Sequence, residues 1–138
     1  MNRLLIDANG LISFITDRIP RQTGIMADLL SSAANLECSI TVTASAINDL
    51  AFVLEGVYHC KPRFIAGAIG DLLKLPGIEF DCGYYPEQVL NLWPHEIKDY
   101  GDAVLAAAAV ELGLQVCTFD KRFFRALQRS AIPSRLLS

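Results

Sequence analysis

Cationic charge is scarce in this sequence. Lys and Arg number 12 against 15 Asp and Glu, a formal net charge of -3 over 138 residues. That excludes a uniformly basic coat for a polyanion; any such partner must be held by a local patch or by metal ions. Long apolar runs are also missing. The longest, Ala103 to Val110, is far short of the roughly 20 residues a membrane span needs. The opening stretch Met-Asn-Arg-Leu-Leu-Ile-Asp has too short an apolar segment for a signal peptide. A cytoplasmic location without membrane contact is the expectation. The four cysteines, Cys38, Cys60, Cys82 and Cys117, form no Cys-x-x-Cys pair. They read as small hydrophobes in a reducing compartment. There are only two histidines, His59 and His95, and both read as solvent-exposed. No Gly-rich phosphate loop, internal repeat, linker or low-complexity segment is present.

What remains is apolar and regularly punctuated. Hydrophobic residues make up 52%, and a chain of this length buries roughly 68% of its unfolded surface, enough for one core. One domain over 1–138 is expected. Strand-like runs are Arg3 to Ile6, Cys38 to Val42, Ile78 to Cys82 and Leu114 to Phe119, with Ser134 to Leu137 as an edge candidate. Helical patterns fill the gaps: Gly10 to Ile15, Thr23 to Leu36, a helix from Ser45, Pro62 to about Leu75, Glu87 to Trp93, Gly101 to Leu112 and Lys121 to Arg129. Pro62 suits a first helical turn, and Gly113 suits a helix end. Strands alternating with helices imply right-handed crossovers, hence an α/β fold with a mostly parallel sheet of about four to five strands flanked by helices.

In such sheets ligands bind beyond the carboxyl ends of the strands. Acids collect there. Asp7 follows the first strand. Asp49 lies early in the helix after the second. Asp99 and Asp102 open the helix after Trp93-Pro94, and Asp120 ends the strand Val116 to Phe119. Each has a purely local explanation as a helix cap or a macrodipole partner. Together they are harder to dismiss. Carboxylates within about 5 Å repel by roughly 3 kcal/mol per pair at an effective dielectric near 20. A cap contributes only about 1 kcal/mol. Either the acids splay apart or a hard divalent cation, Mg²⁺ or Mn²⁺, sits among them. Glu55 competes with Asp49 on the same helix but lies about 9 Å further along its axis. Arg122, Arg125 and Arg129 recur at helical spacing beside Asp120, with Lys121 adjacent. They are candidate phosphate contacts, or else a solvated helix face. Arg18 and Arg21 are further candidates.

Four segments taken together resemble the PIN-domain ribonucleases. They are Leu-Leu-Ile-Asp-Ala-Asn at 4–9, Thr-Ala-Ser-Ala-Ile-Asn-Asp-Leu-Ala-Phe-Val-Leu at 43–54, Lys-Asp-Tyr-Gly-Asp-Ala-Val-Leu-Ala-Ala-Ala-Ala at 98–109 and Cys-Thr-Phe-Asp-Lys-Arg-Phe-Phe at 117–124. Their order and spacing extend the resemblance over nearly the whole chain. It implies a single PIN-like domain with metal-dependent cleavage of RNA. It also implies similarity to VapC-type toxins, which pair with an antitoxin, and homodimerisation. On this reading Asp7, Asp49, Asp102 and Asp120 are catalytic, and Asp7, Asp99, Asp102 and Asp120 are metal ligands. Asn9 and Thr118 match polar positions that support the site, and Lys121, Arg122, Arg125 and Arg129 would bind RNA. Asp49 stands where the family usually has Glu. Its side chain is one methylene shorter, which implies a ligand set about 1 Å further out or a water between acid and metal. Other readings of the same acids are an inert metal-binding or assembly module and a nuclease acting on DNA.

Overall fold

In the computed structural model, which describes residues 1–138, strands and helices alternate as the apolar pattern predicts. The elements are β1 (Asn2–Ile6), α1 (Ala8–Thr16), α2 (Pro20–Ala34), β2 (Cys38–Thr43), α3 (Ala44–Gly56), α4 (Pro62–Lys74), β3 (Ile78–Asp81), α5 (Pro86–Leu92), α6 (Tyr100–Leu112), β4 (Gln115–Thr118), α7 (Lys121–Arg129) and β5 (Ser134–Leu136). The five strands form one sheet in the order β3-β2-β1-β4-β5, and every pairing is parallel. The C-terminal run is an edge strand, as expected. No helix is long and apolar enough to cross a membrane.

A parallel sheet covered on both faces needs strands apolar on both sides. Central β1 and β2 meet that need: Leu4, Leu5, Ile6, Ile40 and Val42 are all essentially inaccessible. They join a single core of 31 buried residues that draws on most helices. Edge strand β3 is only half-buried, and Phe80 on it is 53% exposed. The sequence marks several helix ends correctly. Pro62 occupies the first turn of α4, and Gly113 closes α6 in the left-handed region at φ 68°. Helix α2 begins three residues before the expected Thr23, because Pro20 takes its first turn. Helix α1 begins at Ala8, two residues before the expected Gly10, because Asp7 caps it. Val57 and Tyr58 continue the apolar spacing of α3 but fall beyond its end, where Val57 is 65% exposed.

The chain adds β2 and β3 on one side of β1, then crosses to lay β4 on the other. The direction of winding therefore reverses between β1 and β4. Crevices open outside the carboxyl ends of the strands at such a switch point. Parallel register aligns Ile6 with Cys117. The residues that follow each, Asp7 and Thr118, thus emerge side by side at that crevice.

Two glycines separate backbone tolerance from backbone need. At Gly77, φ is 81° and an added Cβ would lie 2.3 Å from the Ala33 carbonyl oxygen. At Gly24, within α2, an added Cβ would meet nothing within 4 Å. Gly24→Ala should stabilise the fold by about 1 kcal/mol, the helix-propensity difference. Gly77→Ala should destabilise it by more than about 1 kcal/mol. Urea unfolding of both variants checks the contrast, and equal effects of the same sign would refute it.

Candidate functional site

Asp7 is the fixed point of the site. It is 6% exposed, and both carboxylate oxygens are engaged. The Gly10 amide donates to Oδ1 at 3.1 Å, and the Thr118 hydroxyl donates to Oδ2 at 2.6 Å. Thr118 Oγ1 in turn accepts the Asp120 amide at 3.0 Å. One hydroxyl thereby ties the end of β1 to the end of β4 and to the start of α7. Gly10 permits this arrangement: a Cβ there would come within 3.1 Å of Ile6 and 3.2 Å of the Met26 sulfur. Burial pushes the Asp7 carboxyl above its ordinary pKa. The Thr118 and Gly10 hydrogen bonds pull it back, the Asp120 charge raises it further, and Arg18 lowers it. The Arg18 guanidinium is folded against α1, where it donates to the Ser13 hydroxyl at 3.1 Å and to the Asn9 carbonyl at 3.4 Å.

The local explanations for the other acids are correct as far as they go. Asp99 caps α6 by accepting the Asp102 amide at 2.9 Å. Asp120 caps α7 through Oδ1, which accepts the Arg122 and Phe123 amides at 2.8 and 3.2 Å. Capping nevertheless leaves the acids gathered. Asp7, Asp49, Asp99 and Asp102 line one cleft of about 270 Å³, together with Asn9, Ser45, Gly101 and Phe52. No lysine or arginine lines it. Asp120 lies just outside, close enough for its charge to act on both Asp7 and Asp102.

Asp102 carries the electrostatic cost of this crowding. Partial burial, then the charges of Asp99, Asp120, Asp7 and Asp49, raise its carboxyl to about 7. Asp49 is also raised, by desolvation within the cleft and then by Asp99. By contrast, the buried Cys117 thiol is pushed up to about 11, chiefly by burial. That suits an inert core residue, and all four cysteines are free thiols.

The donor set suits a hard divalent cation. The cleft offers four Asp carboxylates, with Asn9 and Ser45 as neutral oxygen donors and no soft ligand among them. No three acidic, His or Cys side chains are close enough to form a ready chelate. Asp7 and Asp102 are the candidates for direct contact; Asp99 adjoins Asp102 at the start of α6, and Asp49 lines the same cleft.

The expected residues are therefore distributed unevenly. Asn9 lines the cleft, and Thr118 stands behind it on Asp7. Arg122 and Arg129 line an adjoining recess, whereas Lys121 and Arg125 line neither. Both histidines are exposed, and Phe123 is a core anchor at 2% exposure. Ser45 was not singled out from the sequence. It follows the end of β2 as Asp7 follows β1, and its hydroxyl lies 3.1 Å from that of the capping residue Thr43. A search for polar residues one or two positions past each strand would have found it.

No protein-family model matches the chain, and no curated protein matches it. Solved structures do. VapBC2 from Rickettsia felis, bound to a DNA fragment from its promoter, is similar over 99% of each chain at 17% identity, with a TM-score of 0.68. VapBC-1 from nontypeable Haemophilus influenzae is similar over 97% of each chain at 15% identity, with a TM-score of 0.69. Mycobacterium tuberculosis VapC20, a sarcin-ricin loop cleaving toxin, is similar over 89% of this chain and 94% of its own at 16% identity, with a TM-score of 0.66. The PIN-like α/β fold expected from the sequence is the fold observed.

The raised Asp102 has a consequence for stability. Its native pKa, about 7, exceeds the ordinary aspartate value near 3.9. The native state therefore binds the proton more tightly than the unfolded chain does. Stability falls as pH rises from about 4 to about 7, and the loss persists above that range. In chelator at pH 8, Asp102→Asn should melt at a higher temperature than the parent, and the difference should vanish toward pH 4. A pH-independent difference in melting temperature would exclude this assignment.

Proposed function

We propose that this protein is a divalent-metal-dependent endoribonuclease that hydrolyses RNA phosphodiester bonds, acting as the toxin of a bacterial toxin–antitoxin pair. The observation that carries the reading is the carboxylate cleft at the switch point of the sheet, which no lysine or arginine lines. It sits on a fold shared with a toxin that cleaves the sarcin-ricin loop. The antitoxin partner rests on the resemblance to VapC-type toxins and on the likeness to VapBC2 and VapBC-1.

In this reading Asp7 and Asp102 hold Mg²⁺ or Mn²⁺, and Asp49, Asp99 and Asp120 complete the acidic set. When bound, the ion lowers the pKa of its water and offsets charge developing on the phosphate. The protein's own residues do the positioning. Thr118 and Gly10 fix both oxygens of Asp7, so that the carboxylate cannot swing away from the cleft. The cap bonds to Asp99 and Asp120 hold those charges at helix starts. The charges of Asp99, Asp120, Asp7 and Asp49 all act on Asp102, so a cation held there would be stabilised. Asn9 and Ser45 offer neutral polar groups to the substrate at the cleft wall. No His, Ser or Cys arrangement offers a rival nucleophile.

Purified protein should cleave RNA in Mn²⁺ or Mg²⁺ and lose that activity in chelator. Asp7→Asn and Asp102→Asn should each lower the rate by at least about a hundredfold, the scale for removing a group that stabilises transition-state charge. Asp49→Glu, which restores the longer acid, should keep at least the parental rate. Cleavage that survives both Asn substitutions would overturn the site. Metal binding with no cleavage of any RNA would favour an inert module, and cleavage of DNA alone would favour the DNA reading. Because proton and cation would compete for Asp102, apparent metal affinity should rise as pH passes through about 7. Calorimetric titrations with Mn²⁺ at several pH values measure this. A flat profile would contradict it.

A further inference from the structure

The acidic cleft adjoins a recess of mixed charge, lined by Lys98, Arg122 and Arg129 as well as by acids. This recess, of about 540 Å³, shares Asp99 and Asp102 with the cleft. One wall is the face of α7 bearing Arg122 and Arg129; the other is the loop His95 to Lys98 that leads into α6. Arg122, Arg129 and Lys98 are all exposed. The two arginines are seven positions apart, about 10 Å along the helix axis. Both walls are anchored. Ile97 and Phe123 are each 2% exposed, and Trp93 Nε1 donates to the Lys98 carbonyl at 3.0 Å. The Ser130 hydroxyl donates to Glu96 Oε2 at 3.2 Å, which ties the loop to the end of α7 and engages the one acid of this recess outside the shared pair. Three exposed cations thus line a recess that shares Asp99 and Asp102 with the carboxylate cleft.

We infer that this recess is the entry groove for the substrate strand. It takes the sugar–phosphate backbone on one side of the scissile bond, with Arg122, Arg129 and Lys98 on successive phosphates, and delivers the scissile phosphate to the acids. The inference rests on the ribonuclease reading above and deepens it. Helical spacing alone treats Lys121, Arg122, Arg125 and Arg129 alike. The groove selects Arg122 and Arg129 and adds Lys98 from a different element. Phosphate contacts position a strand without reading its bases, so this surface sets where RNA lies, and base choice belongs elsewhere.

The test uses the full chain carrying Asp102→Asn, so that binding is measured independently of cleavage. The probe is a fluorescein-labelled oligouridylate about twelve nucleotides long, within the usual range for a single-strand site. Anisotropy is followed across a salt series. Each phosphate contact on a single strand contributes about 0.7 to the slope of log affinity against log salt. Arg122→Gln with Arg129→Gln should therefore flatten that slope by about 1.4 and weaken low-salt binding at least about tenfold. Lys98→Gln should flatten it by about a further 0.7. Lys74→Gln, at the far end of α4, should change neither quantity. Unchanged binding and slope in the arginine double variant would overturn the groove, as would a loss carried instead by Lys121→Gln with Arg125→Gln. Displacement of the RNA by equimolar polyglutamate would assign the surface to an acidic protein segment, which also overturns it. Cleavage by the parent protein is scored separately. Groove variants that bind normally while the parent cleaves would sink only the groove, and groove variants that lose binding while the parent cleaves nothing would sink only the nuclease reading.

Discussion

Like charges brought into one pocket are unstable without a counter-ion, and this protein spends much of its architecture on bringing them there. A parallel sheet delivers every strand end to one edge, so acids far apart in sequence arrive together. The reversal of winding between β1 and β4 opens a crevice where Asp7 emerges. The helices α3 and α6 add Asp49, Asp99 and Asp102. Asp102 registers the result, with a carboxyl raised to about 7 by partial burial and four neighbouring charges.

Capping and clustering turn out to be compatible uses of the same side chains. Asp7, Asp99 and Asp120 each begin a helix and accept backbone amides there. Those bonds hold the carboxylates in fixed orientations, and the positive end of each helix offsets part of their mutual repulsion. The cap thus helps to make a negative pocket tolerable. Asp102 and Asp49 are not caps, and both are shifted upward, as is the buried cap Asp7.

Much of this was legible in the sequence because the fold rests on local rules. Alternation of short β-type runs with amphipathic helices is enough to imply a parallel sheet, and the strand-end rule then finds the acids. Boundaries slipped where a cap or a proline outranked the apolar pattern, as at Ala8 and Pro20. Tertiary pairing was not legible. Nothing in the sequence says that the loop holding Lys98 faces α7, or that only two of four basic residues near Asp120 border the site. The Thr118 link from Asp7 to the Asp120 amide spans 111 positions in its longer bond. The resemblance marked Thr118 as a supporting residue, but only the folded register gives it a job.

The central claim is electrostatic, and it can be read directly from the side chain that bears it. Carboxyl ¹³C NMR titration of Asp102 in metal-free protein should give a midpoint near 7. That midpoint should fall in Asp99→Asn, where the largest neighbouring charge is gone. An Asp102 that titrates near the ordinary value of about 4, and ignores the removal of Asp99, would mean the acids do not share a pocket in solution.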